Sequence, residues 1–152
     1  AQKCVHYNIG IIFSVIVGFP GETADSVLET LSVVKRLRKM SEDFSVSIYY
    51  YKPYPGNKIA DELMAQGYKF PAGLEEWSNF DYVNSGKSDW LSDDQIKRIE
   101  RFKFYQQLAW SKKTVSKFLF QKIAAWRCEK NIYTFPVEKN IIRFLKPAPK
   151  VS

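Results

Sequence analysis

The chain has 152 residues, 45% of them apolar and 26% charged, with two cysteines and a net charge of +7. That is enough sequence for one core-forming domain, and it excludes disordered, collagen-like and disulfide-stapled classes. No apolar run approaches the ~18 residues of a membrane-spanning helix. Cys4 and Cys128 stand far apart and read as free thiols of a reducing, cytoplasmic protein. The charge is unevenly placed: residues 1–76 hold 8 Lys/Arg and 9 Asp/Glu, whereas residues 77–152 hold 15 and 7.

Ala1–Tyr7 reads as the end of a helix. Gly10–Val17, with IIFSVIV at its centre, is β-branched and lacks polar alternation, which predicts a strand buried on both faces of a parallel sheet. GFPGET follows at Gly18–Thr23. Thr23 is placed to cap a helix whose stripe is Val27, Leu28, Leu31, Val34 and Leu37, with Asp25 in its first turn. A turn at Ser41–Asp43 leads into a second strand, Phe44–Tyr51, parallel to the first by the crossover rule. YKPYPGN ends that strand at its prolines, and a short helix, about Lys58–Gln66, stops at Gly67.

Residues 68–91 read as a linker that packs through its aromatics. Ser92 and Gln95 form a capping box, and no Pro or Gly interrupts the sequence from there to Pro136. One long helix, or two broken near Ser111–Ser116, fits that stretch. Ile96, Ile99, Phe102, Leu108 and Ala109 mark the first stripe, and Val115, Phe118, Leu119 and Ile123 the second. Pro136 opens a last short helix, Val137–Leu145. Three units result: a βαβ unit (1–67), an aromatic linker (68–91) and a basic helical domain (92–152).

Two parallel strands with one crossover helix cannot cover both faces of a sheet. The sequence is therefore read as the C-terminal piece of a longer protein. A small α+β domain that covers the strands with its own helices is the alternative. An incompletely covered strand is an association template, so a homo-oligomer of the chain is expected.

Chemistry-bearing residues are sparse. The lone histidine, His6, lies at a helix end and reads as structural. Cys4 and Cys128 lack the clustering of a zinc or iron–sulfur site. The acidic pairs Asp61–Glu62, Glu75–Glu76 and Asp93–Asp94 are adjacent in sequence and do not converge on a helix. From Lys97 to Lys150 there are 14 Lys/Arg against 3 Asp/Glu. The periodicity of the interleaved aromatics favours a folded core with solvated cations, and nucleic acid is not the expected partner. On that reading Phe102, Phe118 and Leu119 are core positions. A basic helical module that binds RNA or an acidic partner is the competing reading, and a degenerate paralogue with a scaffolding role is a third.

GFPGET is the exception. Gly18 ends a buried strand at its C-terminal edge, where ligands bind in α/β folds. Pro20 and Gly21 shape a sharp turn, and Glu22 and Thr23 start a helix at the same edge. Tyr51–Asn57 occupies that edge on the neighbouring strand.

VIVGFPGET, followed about 30 residues later by YYYKPYPGN, resembles the radical S-adenosylmethionine (SAM) enzymes, specifically their cobalamin-binding-domain-associated branch. That branch includes anaerobic magnesium-protoporphyrin IX monomethyl ester oxidative cyclases and methyltransferases. Trp77–Phe80 and the WLSDDQI-x-R segment at Trp90–Arg98 are similar to it as well. Asn57 stands where the family's second motif has Thr. Transfer-RNA methylthiotransferases share GFPGET but end in a small β-barrel, whereas this sequence ends in helices.

The resemblance implies an α/β plus α architecture: a βαβ remnant of a partial (β/α)6 TIM-like barrel, followed by a helical C-terminal domain. It implies a parent protein that binds SAM and a 4Fe–4S cluster on a CxxxCxxC loop, with cobalamin, and that cleaves SAM reductively to a 5′-deoxyadenosyl radical. It places Ile16, Gly18, Phe19, Pro20, Gly21 and Glu22 near the adenosyl group, with Tyr51 and Lys52 on the neighbouring strand. No CxxxCxxC occurs in the 152 residues. The expectation is therefore part of a SAM pocket, no catalytic residue, no cofactor held by this chain alone, and partners in the parent's N-terminal barrel and cobalamin domain.

Overall fold

A computed structural model of the chain describes residues 1–80, 88–112 and 118–134. In chain order the elements are α1 (Gln2–His6), β1 (Ile11–Val17), α2 (Ala24–Met40), β2 (Phe44–Tyr50), α3 (Lys58–Ala65), α4 (Leu74–Asn79), α5 (Asp93–Ala109) and α6 (Phe118–Lys130). Val115 and the expected helix Val137–Leu145 lie outside the described residues.

β1 and β2 are parallel, in register from Ile11↔Phe44 to Val17↔Tyr50. One face of the pair is dry. Val17, Phe44, Val46, Ile48 and Tyr50 are buried there, with Phe13 and Val15 packed against the same core. Val27, Leu31 and Val34 of α2 and Ile99, Phe102 and Tyr105 of α5 complete this core, and Ala124 and Cys128 of α6 join it. Residues of both compositional halves thus share one interior.

The other face is bare. Ile12 is 77% exposed and Ile16 48%, with Ser14 and Ser45 exposed beside them. Within this chain β1 is not buried on both faces: the described residues cover one face only, as expected of two parallel strands with a single crossover helix. The IIFSVIV run supplies apolar side chains to both faces, and a single helical layer can use just one set.

The backbone polar groups divide in the same way. Ile11 N–H donates to the Asp43 carbonyl (3.3 Å) and Tyr51 N–H to the Val17 carbonyl (2.8 Å). Both groups of a strand residue point to one side, so odd-numbered residues of both strands face each other and even-numbered residues face outward. On the outer edge of β2, Gln106 of α5 donates from Nε2 to the Val46 carbonyl at 3.2 Å. On the outer edge of β1, the backbone groups of Ile12, Ser14 and Ile16 meet no partner among the described residues.

The helix signals read from the sequence have their physical counterparts. Thr23 Oγ1 accepts from Ser26 N–H (3.2 Å) and starts α2. Ser92 and Gln95 form the reciprocal capping box of α5. The helical break falls between Ala109 and Phe118, where Arg38, a buried residue of α2, donates to the Trp110 carbonyl at 2.7 Å. α4 is an additional helix within the stretch expected to be linker.

α6 departs from expectation. Its inward residues are Gln121, Ala124, Arg127 and Cys128, whereas Phe118 is 53% exposed and Leu119 66%. Polar anchors set this rotation. Gln121 Nε2 donates to the carbonyls of Ser111 and Lys112 (both 3.2 Å), and Arg127 Nη1 donates to those of Ile132 (3.3 Å) and Thr134 (2.9 Å). These groups lie inside only because each has a partner there, and turning them inward carries Phe118 and Leu119 outward. The expectation that both are core positions is therefore incorrect, while Phe102 is fully buried as expected.

Two measurements check this core. Phe102→Ala should cost about 3–5 kcal/mol in urea unfolding, and Phe118→Ala less than about 1 kcal/mol; comparable losses would contradict the placement of α6. Cys128 is fully buried, which pushes its thiol up to about 12, while Cys4 is partly exposed. A thiol reagent at neutral pH should therefore modify one cysteine quickly and the second only on unfolding.

Candidate functional site

The turn after β1 is built from two left-handed glycines and one carboxylate. Gly18 has φ +82° and Gly21 φ +76°. Glu22 folds back so that its Oε2 accepts from Gly18 N–H (2.5 Å) and Phe19 N–H (3.2 Å), while its Oε1 accepts from Ser26 Oγ (3.1 Å). Glu22 N–H in turn donates to the Phe19 carbonyl at 3.0 Å. The carboxylate fills the concavity of backbone donors that such a turn would otherwise offer to an anion. The turn's donors are thus satisfied from within, and it is closed to phosphates.

Gly18 is fixed by its surroundings as well as by its φ. A Cβ there would lie 2.6 Å from Ser88 Oγ and 3.0 Å from Leu91 Cδ1. Ser88 is buried; its hydroxyl donates to the Gly18 carbonyl (3.3 Å) and accepts from Trp90 N–H (3.2 Å). Nothing in the sequence marks Ser88 as a partner of this turn. It lies in the aromatic linker, and spacing alone cannot show which residue meets a glycine 70 positions away.

The structure brings most of the expected site residues together. Gly18, Phe19, Pro20, Gly21 and Glu22 form the turn, and Ile16 lies two residues before Gly18 on the bare face of the sheet. The Phe19 ring lies tilted against Tyr51 at 4.5 Å, and Tyr51 continues to Trp90 at 5.6 Å. Burial raises the Tyr51 phenol above its ordinary value, so it stays neutral at physiological pH. Lys52 carries its ammonium over the Phe80 ring at 5.6 Å.

From Trp90 the rings run on through Tyr68 (5.9 Å), Phe70 (5.2 Å from Tyr68) and Trp77 (6.4 Å from Phe70) to Tyr54 and Phe80. Contacts of this kind are how an aromatic linker packs without a deep core of its own.

Asn57 accounts for its own departure from the family pattern. Its Oδ1 accepts from Ala60 N–H (3.0 Å) as the N-cap of α3, and its Nδ2 donates to the Tyr54 carbonyl (2.8 Å). Thr performs the same capping, whereas the amide bond to Tyr54 is particular to Asn.

The remaining candidates stand apart. His6 is exposed, with its ring edge-on to Tyr7 at 4.8 Å. Glu62 pairs with Lys58 (3.7 Å), Glu76 accepts from Ala72 N–H (2.9 Å), and Asp94 pairs with Lys97 (3.5 Å). Among the described residues no three His, Cys, Asp or Glu side chains converge as a metal site. Also among them, no helix is long and apolar enough to cross a membrane.

Similarity to known proteins is confined to part of the chain. It is 41% identical over 59 residues to the tRNA-2-methylthio-N(6)-dimethylallyladenosine synthase of Sulfurihydrogenibium sp. (strain YO3AOP1), a radical SAM enzyme. The aligned segment is 39% of this chain and 13% of that protein. No family model and no solved structure matches. The similarity supports a radical SAM relationship and no particular branch.

The two glycines of the turn give a direct test. A Cβ at Gly21 would meet open space, so Gly21→Ala pays only for its φ, about 1 kcal/mol. Gly18→Ala adds the collision with Ser88 and should lose at least about 2 kcal/mol in chemical unfolding, with part recovered in the Gly18→Ala, Ser88→Gly double variant. Equal losses for the two alanines would refute the Ser88 buttress.

Proposed function

We propose that this chain is the C-terminal part of a radical SAM enzyme, and that it supplies one wall of the SAM pocket while the rest of the protein supplies the cluster. The observation that carries this reading is the asymmetry of the two-stranded sheet. The β2 edge receives Gln106, whereas the β1 edge, with Ile12, Ser14 and Ile16, is open in both its backbone and its side chains among the described residues. An open edge of this kind, apolar at Ile12 and Ile16, is a template for a further strand on that side. This favours a partial (β/α)6 barrel in which β1 and β2 are the last two strands, followed by the helical segment.

The finer assignment rests on the sequence motifs. It is the cobalamin-associated branch, like the magnesium-protoporphyrin IX monomethyl ester oxidative cyclases and methyltransferases, in a parent protein that also carries a cobalamin domain. The partners of the chain would then be the preceding barrel strands and that domain. In their absence, a second copy would take the same edge, pairing antiparallel about Ser14 so that Ile12 meets Ile16.

The residues present suit a share of the SAM site and not the cluster. Cys4 and Cys128 are too few for a 4Fe–4S cluster, which takes three or four thiolates, and Cys128 is fully buried. When bound, SAM and its cluster supply the one-electron chemistry. The work of this chain is positioning. Gly21, where a Cβ would meet open space, lets a ligand approach bare backbone, Ile16 offers an apolar contact at the mouth, and the Phe19–Tyr51 ring contact holds the turn in place. Glu22 secures the turn from within and is not a catalytic residue.

The reading is tested on the longer reading frame. A CxxxCxxC motif is expected roughly 100–150 residues before Ala1. The protein containing it, reconstituted anaerobically and reduced, should release 5′-deoxyadenosine from SAM, with Gly21→Val raising the KM for SAM more than it lowers kcat. A frame without the cysteine motif, or a reconstituted protein that leaves SAM intact, would overturn the proposal.

A further inference from the structure

A cleft of about 450 Å³ opens between α5 and the loop that follows α6, away from the GFPGET turn. Asp94, Lys97, Arg98 and Arg101 line it from α5, and Asn131, Tyr133 and Thr134 line it from the loop. The four α5 residues follow helical spacing and share one face. Three of them are cations, and the single acid, Asp94, is engaged at the exposed rim with Lys97 at 3.5 Å.

Each wall is fixed by contacts that leave binding groups over. Arg101 Nη1 donates to the Tyr133 carbonyl at 3.0 Å, which ties α5 to the loop and uses one of the five N–H groups of its guanidinium. Arg127 holds the carbonyls of Ile132 and Thr134, so three consecutive loop carbonyls are turned toward arginines. Asn131 accepts from Lys35 Nζ at 3.3 Å, which brings a further cation beside Arg127 to the loop side. Arg98 makes no hydrogen bond or ion pair among the described residues, yet it lies close enough to the buried Tyr133 phenol to act on it electrostatically. The fold makes little use of this arginine, which lines the cleft beside Lys97 and Arg101.

We propose that this cleft binds a phosphate group. Arg98 and the free N–H groups of Arg101 form a fork suited to phosphate oxygens, Lys97 adds a point charge, and Thr134 offers a hydroxyl. Two arginines and a lysine against one rim carboxylate favour an anion, and the volume admits a di- or monophosphate ester or one nucleotide unit of a strand. The phosphate could belong to a small phosphorylated ligand or to an RNA backbone, and the experiment separates the two.

The full chain is titrated with pyrophosphate and with oligouridylates of increasing length, at about 50 and about 150 mM salt. The expected result is saturable binding that persists at the higher salt and falls about tenfold or more in Arg98→Ala, with a smaller loss in Lys97→Ala. Lys58→Ala removes one positive charge from α3, outside the cleft, and should bind as the parent chain does. The Arg98 and Lys97 side chains are exposed, so circular dichroism should show both variants folded. Affinity that rises with oligouridylate length and exceeds that for pyrophosphate identifies the RNA backbone as the source, and pyrophosphate binding without that rise identifies a small ligand. Equal losses in Lys58→Ala and Arg98→Ala, or no binding of either probe near 150 mM salt, would overturn the proposal, since only the net charge would then be acting.

Discussion

The outward-facing backbone of β2 is the constraint on which the rest of the structure depends. In a parallel pair, every second residue must turn its N–H and C=O away from the partner strand, and burying such groups without partners costs more than most side-chain contacts return. β2 is buried on its helical side at Val46, Ile48 and Tyr50, so α5 has to approach it with polar as well as apolar groups. Gln106 reaches the Val46 carbonyl. One and two turns earlier, Lys103 lies over the Tyr50 ring at 4.2 Å and Glu100 accepts from the Tyr50 hydroxyl at 2.8 Å. Burial first, and the Glu100 hydrogen bond second, push the Tyr50 phenol far above its ordinary range, so it remains a donor at any physiological pH. These contacts set the height and rotation of α5, and α6 packs on α5 through Phe102, Tyr105, Ala124 and Cys128.

What is legible in the sequence follows from which interactions are local. Thr23, Ser92 with Gln95, and the Val27–Leu31–Val34 stripe act within one or two helical turns, and all three are readable. The Gly/Pro-fixed loops after both strands are readable too, because φ +82° at Gly18 and φ +93° at Gly56 demand glycine whatever surrounds them. The partners of those loops are not. Ser88 under Gly18 and Arg38 on the Trp110 carbonyl each join residues about 70 positions apart, and no periodicity encodes such a pairing. Arg38 sits in the last turn of α2, where a cation ordinarily serves its own helix dipole, and it holds the end of α5 instead.

The rotation of α6, opposite to the one its apolar residues suggest, has a related cause. Apolar content points to an inward stripe through Phe118 and Leu119, but a helix can be held by its polar residues when the neighbouring segment has carbonyls to satisfy. The breaks at Ser111–Lys112 and Ile132–Thr134 both expose such carbonyls, and Gln121 and Arg127 answer them. Hydrophobic patterning predicts rotation well only where the adjoining chain is regular. Here both anchors of α6 reach irregular backbone, so hydrogen bonding outweighs the burial of one aromatic and one aliphatic side chain.

Glu22 bears on what the turn after β1 can recognise. A glycine-rich strand-to-helix turn usually offers its free N–H groups to a phosphate. In this chain the acid four residues after Gly18 takes those donors itself, bonding Gly18 and Phe19 and bracing against Ser26. An acid placed there repels a phosphate, and the carbonyls of Gly18 and Phe19 are taken in turn by the Ser88 hydroxyl and Glu22 N–H. The turn and the basic cleft beside α5 therefore have opposite preferences, one closed to anions by its own carboxylate and the other lined by Lys97, Arg98 and Arg101. On the proposed reading a phosphate is turned away from the first by Glu22 and drawn to the second by its three cations, so charge separates two surfaces that the same fold places apart.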